Sequence, residues 1–300
     1  MDKPFKSGFI ALVGRPNVGK STLMNTLLGQ KIAIMSPKPQ TTRNRIQTIL
    51  TTEDKQIVFV DTPGIHKPKS KLGEYMNTAA IFSLTEVDLI FWLIEPTETV
   101  RAGDQFIAER LREAKTPVIL VVNKIDTVEK PFLLKVIEAY KDLYPFLEII
   151  PISALKADNT ERLMELIDAH LPEGPKYFPD DMITDQPEKQ IVSELIREKV
   201  LKLLQEEIPH GVAVTIDSMK ESEDGAQMEI EATIVCEKKS HKPILLGKGG
   251  SMIKQIGILA RRDIEAFFLN HVRLNLWVKV KENWRDSEFL MKNYGYRKGE

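Results

Sequence analysis

One eight-residue segment constrains the fold of this chain more than any other part of its sequence. Residues 14–21 (Gly-Arg-Pro-Asn-Val-Gly-Lys-Ser) match G-x-x-x-x-G-K-[ST], between a predicted strand at 9–13 and a predicted helix at 21–28. In that setting consecutive backbone N–H groups point at an anion, and the helix N-terminus adds partial positive charge. The segment predicts a phosphate-binding loop in which Lys20 neutralises the β- and γ-phosphates and the Ser21 hydroxyl binds Mg²⁺.

The rest of the first half predicts the sheet that carries this loop. Four more short apolar segments, rich in β-branched or aromatic residues, predict buried strands at 56–60, 89–94, 118–122 and 148–152. Helical patterns lie between or after them at 103–114, 132–142 and 160–170. Strands that alternate with helices are typical of a doubly wound, mostly parallel sheet. We therefore predict an α/β nucleotide-binding domain over residues 1–173.

Three further motifs, each placed after a predicted strand, indicate which nucleotide binds. Asp61-Thr62-Pro63-Gly64 can hold Mg²⁺ through water and sense the γ-phosphate. In Asn123-Lys124-Ile125-Asp126, the Asp126 carboxylate can accept from two guanine N–H groups at once, which adenine does not offer. Asn123 would support the loop and the base edge, and the Lys124 stem would lie against the ring. Ser153-Ala154-Leu155-Lys156 would offer a backbone N–H to the guanine carbonyl.

The order of these motifs predicts a guanine-nucleotide site for GTP and GDP. The predicted nucleotide-binding residues are Gly14, Arg15, Pro16, Asn17, Val18, Gly19, Lys20, Ser21, Thr22, Asp61, Thr62, Pro63, Gly64, Asn123, Lys124, Asp126, Ser153, Ala154 and Leu155.

Charge is distributed unevenly in the second half, although the whole chain has a net charge of −1. Residues 176–237 carry 6 basic and 15 acidic side chains, whereas residues 238–281 carry 10 basic and 2 acidic ones. Gly247-Lys248-Gly249-Gly250 lies in the basic segment, just before a predicted helix at 252–268. In KH folds a G-x-x-G loop clamps the sugar–phosphate backbone of about four nucleotides. This segment therefore predicts RNA binding, to single strands rather than duplexes because splayed bases expose readable edges.

A stretch with three prolines and one glycine separates the two halves. We predict a linker over 174–188, a smaller α+β domain over 189–285 in the order α-β-β-α-α-β, and a C-terminal tail over 286–300. The predicted RNA-binding residues are Gly247, Lys248, Gly249, Gly250, Lys254, Lys238, Lys239, Lys242, Arg261 and Arg262.

Cysteine content and hydropathy restrict the class of protein further. A single cysteine, Cys236, excludes an internal disulfide and any zinc cluster built from cysteines. The longest apolar runs, 89–94 and 118–122, are far shorter than the ~20 residues that span a bilayer. We therefore expect a soluble protein of a reducing compartment.

The phosphate-binding segment, Thr41-Thr42-Arg43 and Asp61-Thr62-Pro63-Gly64 together resemble the Era family of bacterial P-loop GTPases. The second half agrees, because its order of elements resembles the type II KH domain at the C-terminus of that family. The resemblance implies that Thr42, in preference to Thr41, completes Mg²⁺ coordination with Ser21 and with Asp61 through water.

The resemblance also bears on hydrolysis. Ile65 stands where Ras-like enzymes carry a glutamine that orients water, so that catalytic group is missing. Asn17 resembles the residue that helps to hold a potassium ion near the phosphates in related GTPases, and such an ion could supply positive charge. The predicted catalytic residues are therefore Lys20, Thr42 and Asn17. The alternative for Asn17 is that it only stabilises the turn of the loop.

For the whole protein the resemblance implies a slow GTPase that binds the 3′ region of 16S rRNA and acts in assembly of the 30S ribosomal subunit. We expect a cytoplasmic monomer. The resemblance also implies peripheral association with the cytoplasmic face of the cell membrane, although no amphipathic membrane helix stands out. One alternative is a signalling or cell-cycle switch whose KH-like domain docks a protein. Another is an RNA-modifying GTPase, for which the sequence shows no catalytic cysteine, metal cluster or flavin motif.

Overall fold

The chain divides into two units, one formed by Met1–Pro68 and Met76–Asp185 and the other by Lys69–Tyr75 and Gln186–Glu300. The computed structural model describes residues 4–36, 38, 41–65, 68, 70–84, 86–205, 208–223 and 225–296. No helix within those ranges has both the length and the apolar character that crossing a bilayer requires.

A six-stranded sheet forms the centre of the first unit. Its strands are β1 (Lys6–Gly14), β2 (Ile46–Thr51), β3 (Lys55–Asp61), β4 (Leu89–Ile94), β5 (Val118–Val122) and β6 (Glu148–Pro151). They lie in the order β2-β3-β1-β4-β5-β6, and all neighbours are parallel except β2 and β3. The five predicted strands are confirmed. The antiparallel edge strand β2 was not predicted.

Helices cover both faces of this sheet. They are α1 (Lys20–Leu28), α2 (Lys71–Phe82), α3 (Ala102–Ala114), α4 (Lys130–Tyr140) and α5 (Thr160–His170). Alternate residues of β1 point into opposite cores, with Leu12 in one apolar cluster and Val13 in the other. Because both faces are covered, the central strands β4 and β5 are wholly apolar. The loops that carry the motifs meet where the parallel strands end.

The segment predicted as a linker is attached to the first unit along its length. The Gln56 side chain accepts from the backbone N–H groups of Tyr177 and Phe178, at 2.7 and 3.0 Å. Further on, the Ile49 N–H donates to the Ile183 carbonyl at 3.0 Å, and the Thr184 hydroxyl donates to the Gln47 carbonyl at 2.8 Å. These bonds occupy the outer edge of β2, which would otherwise be an unpaired strand edge.

A three-stranded sheet and three helices form the main part of the second unit. Its elements are α6 (Glu188–Leu203), β7 (Val212–Glu221), β8 (Gln227–Cys236), α7 (His241–Leu246), α8 (Ser251–Phe268) and β9 (His271–Val280). The order of strands is β7-β8-β9, with β7 antiparallel and β9 parallel to β8. The predicted order α-β-β-α-α-β is confirmed, and Cys236 is buried as expected.

The segment after β9 packs within the second unit. It contains α9 (Glu288–Asn293), and the Trp284 side chain before it is fully buried. The second unit also includes the first turn of α2, where the Lys71 N–H donates to the Asp286 carboxylate at 3.1 Å. The rings of Tyr75 and Tyr296 meet there with their centroids 6.0 Å apart.

Candidate nucleotide site and nucleic-acid groove

The phosphate-binding loop connects the end of β1 to the start of α1, as the motif predicts. Gly19 immediately precedes the helix with φ +101°, and a Cβ there would lie 2.1 Å from Asn123 Nδ2. Only glycine satisfies both the backbone conformation and the space. Asn17 also adopts a left-handed conformation, with φ +69°, which asparagine tolerates better than most residues. The sequence of the loop is therefore matched to its conformation at two separate positions.

Lys20 and Asp61 form a buried pair of opposite charges at the centre of the site. The Lys20 ammonium donates to the carbonyl oxygens of Gly14 and Arg15, each at 3.3 Å. Burial lowers the pKa of Lys20 to about 8, and the Asp61 charge opposes that shift. Burial also raises the pKa of Asp61, against the opposing charge of Lys20. The lysine is thus easier to deprotonate than an exposed lysine, and it is mostly neutral only above about pH 8.

Three oxygen-bearing side chains converge where the sequence predicts the metal ion. Ser21 Oγ donates to Asp61 Oδ2 at 2.6 Å, and Thr42 Oγ1 lies 3.0 Å from Ser21 Oγ and 3.4 Å from the same carboxylate oxygen. The other carboxylate oxygen of Asp61 is buried without a hydrogen-bond partner. Mg²⁺ prefers oxygen ligands and keeps several waters. The oxygen atoms of these three side chains therefore fit the ligand preference of Mg²⁺.

The neighbouring switch residues take distinct positions. The Thr41 hydroxyl donates to the Lys38 carbonyl at 2.6 Å, whereas the Thr42 hydroxyl faces the metal ligands, which supports the preference for Thr42. Ile65 is buried in an apolar cluster, and its N–H donates to the Gly14 carbonyl at 3.3 Å. This position therefore offers no polar group to a water molecule. Residues 66, 67 and 69, which follow the D-x-x-G motif, lie outside the described residues.

Asn123 connects the guanine motifs to the phosphate-binding loop. Its Nδ2 donates to the Val18 carbonyl at 2.8 Å, and its Oδ1 accepts from the Ala154 N–H at 2.9 Å. Asn123 was predicted to support the loop and the base edge, and these two bonds fit the first of those roles. The backbone N–H that residues 153–156 would offer to the guanine carbonyl stays a prediction. The Asn123 side-chain oxygen and the Ala154 N–H can meet because their loops follow β5 and β6, which are neighbouring parallel strands.

Lys124 and Asp126 are each held by a neighbour. The Lys124 ammonium donates to the Asn17 carbonyl at 2.7 Å and pairs with the Glu95 carboxylate, so the lysine ties the base motif to the phosphate-binding loop. The Ser153 hydroxyl donates to Asp126 Oδ1 at 2.5 Å. This bond fixes the orientation of the exposed carboxylate before a base arrives. Glu95 was missed in the sequence, where it is marked only by its place directly after β4.

A groove of about 500 Å³ lies in the second unit between α8 and β9. It is lined by Ile253, Lys254, Gly257, Ile258, Arg261, Arg273, Leu274, Asn275, Leu276 and Trp277. β9 is the last strand of its sheet, so its outer edge pairs with no strand in the described part of the chain. The groove thus combines apolar side chains, three cations and the free backbone groups of a strand edge.

The G-x-x-G turn lies at the N-terminal end of α8. Gly249 has φ +60°, and a Cβ built on it would meet no atom within 4 Å. Of the predicted RNA-binding residues, Lys254 and Arg261 line the groove, and the G-x-x-G turn directly precedes α8, which forms one of its walls. The other four predicted residues do not line the groove. Three of them, Lys238, Lys239 and Lys242, lie around the start of α7. The fourth is Arg262, whose Nε atom lies 3.5 Å from Asp263 Oδ1.

Asn275 and Trp277, which line this groove, were not singled out in the sequence. Arg273, Asn275 and Trp277 occupy alternate positions of β9, opposite in phase to its apolar residues. That alternation was visible in the sequence and could have marked them as one exposed face. What the sequence did not show is that this face adjoins the exposed side of α8.

Similarity to known proteins agrees with the geometry of both sites. A family model described as 50S ribosome-binding GTPase matches residues 9–124, and one described as KH domain matches residues 207–285. GTPase Era of Clostridium botulinum (strain Kyoto / Type A2) is 56% identical over 294 residues, which cover 98% of this chain and 99% of that protein. The chain belongs to the Era family of GTPases.

Other relatives extend this result to solved structures. GTPase Era of Clostridium kluyveri is 56% identical over 292 residues, covering 97% of this chain and 99% of the relative. A crystal structure of Era with MgGDPNP and nucleotides 1506–1542 of 16S ribosomal RNA matches with a TM-score of 0.94 and 41% identity. Aquifex aeolicus Era bound to GDP·AlF4⁻ matches with a TM-score of 0.93 and 41% identity, and both matches cover 97% of this chain and 99% of the other.

These matches confirm the predicted fold class and enzyme class. This Era-family chain is a GTPase in which an α/β P-loop domain precedes a smaller α+β KH domain.

Proposed function

We propose that this Era-family GTPase uses its nucleotide state to control binding of single-stranded RNA from the 3′ region of 16S rRNA, during assembly of the 30S ribosomal subunit. The observation that carries the proposal is the groove between α8 and β9 beside the G-x-x-G turn. In the Era structure that contains nucleotides 1506–1542 of 16S ribosomal RNA, a protein 41% identical to this chain holds that RNA.

The chemistry of the groove suits a single strand. Lys254, Arg261 and Arg273 would neutralise phosphates along its rim, while Ile253 and Leu274 would contact the faces of bases. Trp277 is 48% exposed and offers a ring on which a base can stack. The unpaired N–H and C=O groups of β9 can bond base edges, which a duplex would keep hidden.

Replacing Gly249 by aspartate tests the groove. A side chain at 249 has open space, and aspartate is among the residues that tolerate φ +60°, at a cost of about 1 kcal/mol. We therefore expect the variant to fold while its negative charge repels the RNA backbone at the turn. The affinity for a labelled RNA copying the 3′ end of 16S rRNA should fall by about tenfold or more, measured by fluorescence anisotropy.

Gly225→Asp is the matched control for this experiment. Gly225 lies in the turn between β7 and β8 with φ +68° and equally open surroundings, so its replacement adds the same charge away from the groove and should leave RNA affinity unchanged. Equal, weak binding of the native and a scrambled RNA by the unaltered protein would overturn the proposal. That result would favour the alternative in which the KH domain docks a protein.

At the nucleotide site the loop N–H groups and Lys20 would hold the β- and γ-phosphates. Ser21 and Thr42, with Asp61 through water, would hold Mg²⁺, which supplies charge neutralisation at the phosphates when bound. Thr42 and Gly64 lie in the loops whose order would depend on the γ-phosphate. β2, which follows Thr42 by four residues, pairs with linker residues 183–185, so the linker is anchored beside this loop.

The lowered pKa of Lys20 predicts that nucleotide binding takes up a proton in mildly alkaline solution. Bound phosphate raises the pKa of Lys20 again, so well below pH 8 the lysine is charged in both states and almost no proton is taken up. Above pH 8 the free lysine is mostly neutral, and GDP affinity should fall by up to about tenfold per pH unit. Calorimetry in buffers of different ionisation enthalpy should show uptake of most of one proton at pH 8.5. No uptake there would contradict this description.

A potassium ion would supply positive charge for hydrolysis at a site where Ile65 offers no side-chain group to orient water. Asn17, in the phosphate-binding loop, would offer its side-chain oxygen to that ion, and the positive charge would stabilise the transition state. We expect GTP hydrolysis to be about tenfold or more faster in potassium than in sodium buffer.

Asn17→Gly separates this role from the alternative that Asn17 only stabilises the turn. Glycine keeps the left-handed conformation at φ +69° and removes only the amide, so the variant should fold and bind GDP but lose the difference between the two cations. A variant that retains the full potassium effect would assign Asn17 to the turn alone.

The proposed site of action is the cytoplasm, where ribosomal subunits assemble, and the proposed state in solution is a monomer. Peripheral association with the cytoplasmic face of the membrane remains a prediction from the family resemblance. Co-sedimentation of the protein with anionic vesicles tests it: no protein in the pellet would contradict the membrane association and leave the proposed RNA binding unaffected.

A further inference from the structure

The side chain of Arg15 leaves the phosphate-binding loop and enters the interior of the first unit. Its Nε donates to Asp104 Oδ1 at 2.9 Å, and the Asp104 side chain, in the first turn of α3, is fully buried. The Tyr140 hydroxyl, at the end of α4, donates to the other oxygen of Asp104 at 2.9 Å. The Thr97 hydroxyl lies 3.3 Å from that of Tyr140. A continuous set of hydrogen bonds therefore joins the loop to two helices.

The residues around this contact restrict the conformation of the Arg15 side chain. A Cβ on Gly103 would lie 2.9 Å from Arg15 Cδ, so the start of α3 approaches the arginine as closely as a glycine allows. Burial raises the pKa of Tyr140 to about 12, so its hydroxyl keeps its proton and remains a donor to Asp104. The carboxylate thus has a charged donor on one oxygen and a neutral donor on the other, which is what a buried charge requires.

The backbone of the same arginine lies beside the phosphate-binding lysine. The Arg15 carbonyl accepts from the Lys20 ammonium at 3.3 Å. The second half of the loop is held separately, by the bond from Asn123 to the Val18 carbonyl and by α1. Arg15 therefore anchors the start of the loop through its own side chain, while the Lys124 ammonium holds the loop at the Asn17 carbonyl.

We propose that Asp104 is a positioning residue for nucleotide binding: through Arg15 it holds the first half of the phosphate-binding loop in the conformation that receives the phosphates. The proposal rests on the proposed function only in taking GDP and GTP as ligands. A loop that is already ordered loses less conformational entropy when it binds, so releasing the anchor weakens phosphate binding without changing any atom that touches the nucleotide.

A double-mutant cycle on Arg15 and Asp104 tests this. We expect Asp104→Ala and Arg15→Ala each to speed release of fluorescently labelled GDP by about tenfold, and the double variant to be no faster than either single one, because both remove the same anchor. Tyr140→Phe, which leaves the Arg15–Asp104 pair intact, should have a smaller effect. Additive effects in the double variant would overturn the proposal, as would unchanged GDP release in both single variants.

Two controls separate positioning from general damage to the fold. Arg110→Ala removes an exposed ion pair with Glu113 on the same helix and should leave GDP release unchanged. Competition with guanosine, which lacks phosphates, should be equally strong for the unaltered protein and Asp104→Ala; equal loss of guanosine and GDP affinity would instead indicate general damage and overturn the positioning role. An unaltered protein that fails to bind GDP would contradict the proposed function, whereas binding that is insensitive to Asp104→Ala contradicts only this inference.

Discussion

We expect replacement of Trp284 by alanine to lower the free energy of unfolding of the second unit by about 3–5 kcal/mol. The indole is fully buried, its Nε1 donates to the Gly211 carbonyl at 2.9 Å, and the rings of Tyr294 and Tyr296 pack against it with centroids 5.5 and 5.8 Å away. Alanine would leave a cavity and remove the donor from a buried carbonyl. Urea denaturation followed by circular dichroism measures the change.

Trp277 provides a matched control, because it is the same residue type in the same unit but is half exposed. Trp277→Ala should change the free energy of unfolding by under about 1 kcal/mol, yet weaken RNA binding by about tenfold, the effect of losing one stacked base. If Trp284→Ala left stability unchanged, or if Trp277→Ala destabilised the unit and spared RNA binding, the assignments of core and groove would be wrong.

The second large effect concerns the choice of base. Asp126→Asn should weaken GTP binding by about a hundredfold or more, because the side chain can no longer accept from two guanine N–H groups. Xanthine carries a carbonyl in place of the guanine amino group, so xanthosine triphosphate should bind the variant better than it binds the unaltered protein. Competition of the two nucleotides against labelled GDP measures both changes.

Ser153→Ala is the control for this exchange. It removes the hydroxyl that holds Asp126 at 2.5 Å but keeps the carboxylate, so GTP affinity should fall by only about tenfold and guanine should still be preferred. An Asp126→Asn protein that retained full preference for GTP would show that Asp126 does not recognise the base.

The motifs placed at strand ends were the part of the site that the sequence predicted best. Gly19, Asp61 and Asp126 each follow a buried strand, and parallel strands bring such ends to one edge of a sheet. Local sequence is sufficient to predict where these motif residues lie, because the end of its own strand brings each of them to the same edge of the sheet. The predicted order of elements in the KH domain was also confirmed, since its strands alternate clearly.

Features that depend on contacts between distant segments were not predictable in this way. The direction of the Arg15 side chain depends on Asp104, which is 89 residues away. β2 lacks strict alternation, with Ile49 and Leu50 adjacent, and its partner becomes evident only in the hairpin with β3. The burial of Trp284 likewise depends on Gly211, which is 73 residues away.

The helix after the D-x-x-G motif was missed for a different reason. α2 contains Gly73, Asn77 and Thr78, which are poor helix formers and weaken the apolar periodicity. The Ser70 hydroxyl accepts from the Gly73 N–H at 3.1 Å and so supports the first turn. Tertiary packing thus stabilises a segment whose own sequence favours helix only weakly.

The most direct test of the central claim is the affinity of the unaltered protein for the 3′-end RNA in its two nucleotide states. The protein is loaded with Mg²⁺ and either a non-hydrolysable GTP analogue or GDP, and each form is titrated against the native and a scrambled RNA. We predict sequence-selective binding with the GTP analogue and an affinity about tenfold lower with GDP. Equal affinity in the two states would contradict the account, because the GTPase site would then not control the RNA-binding groove.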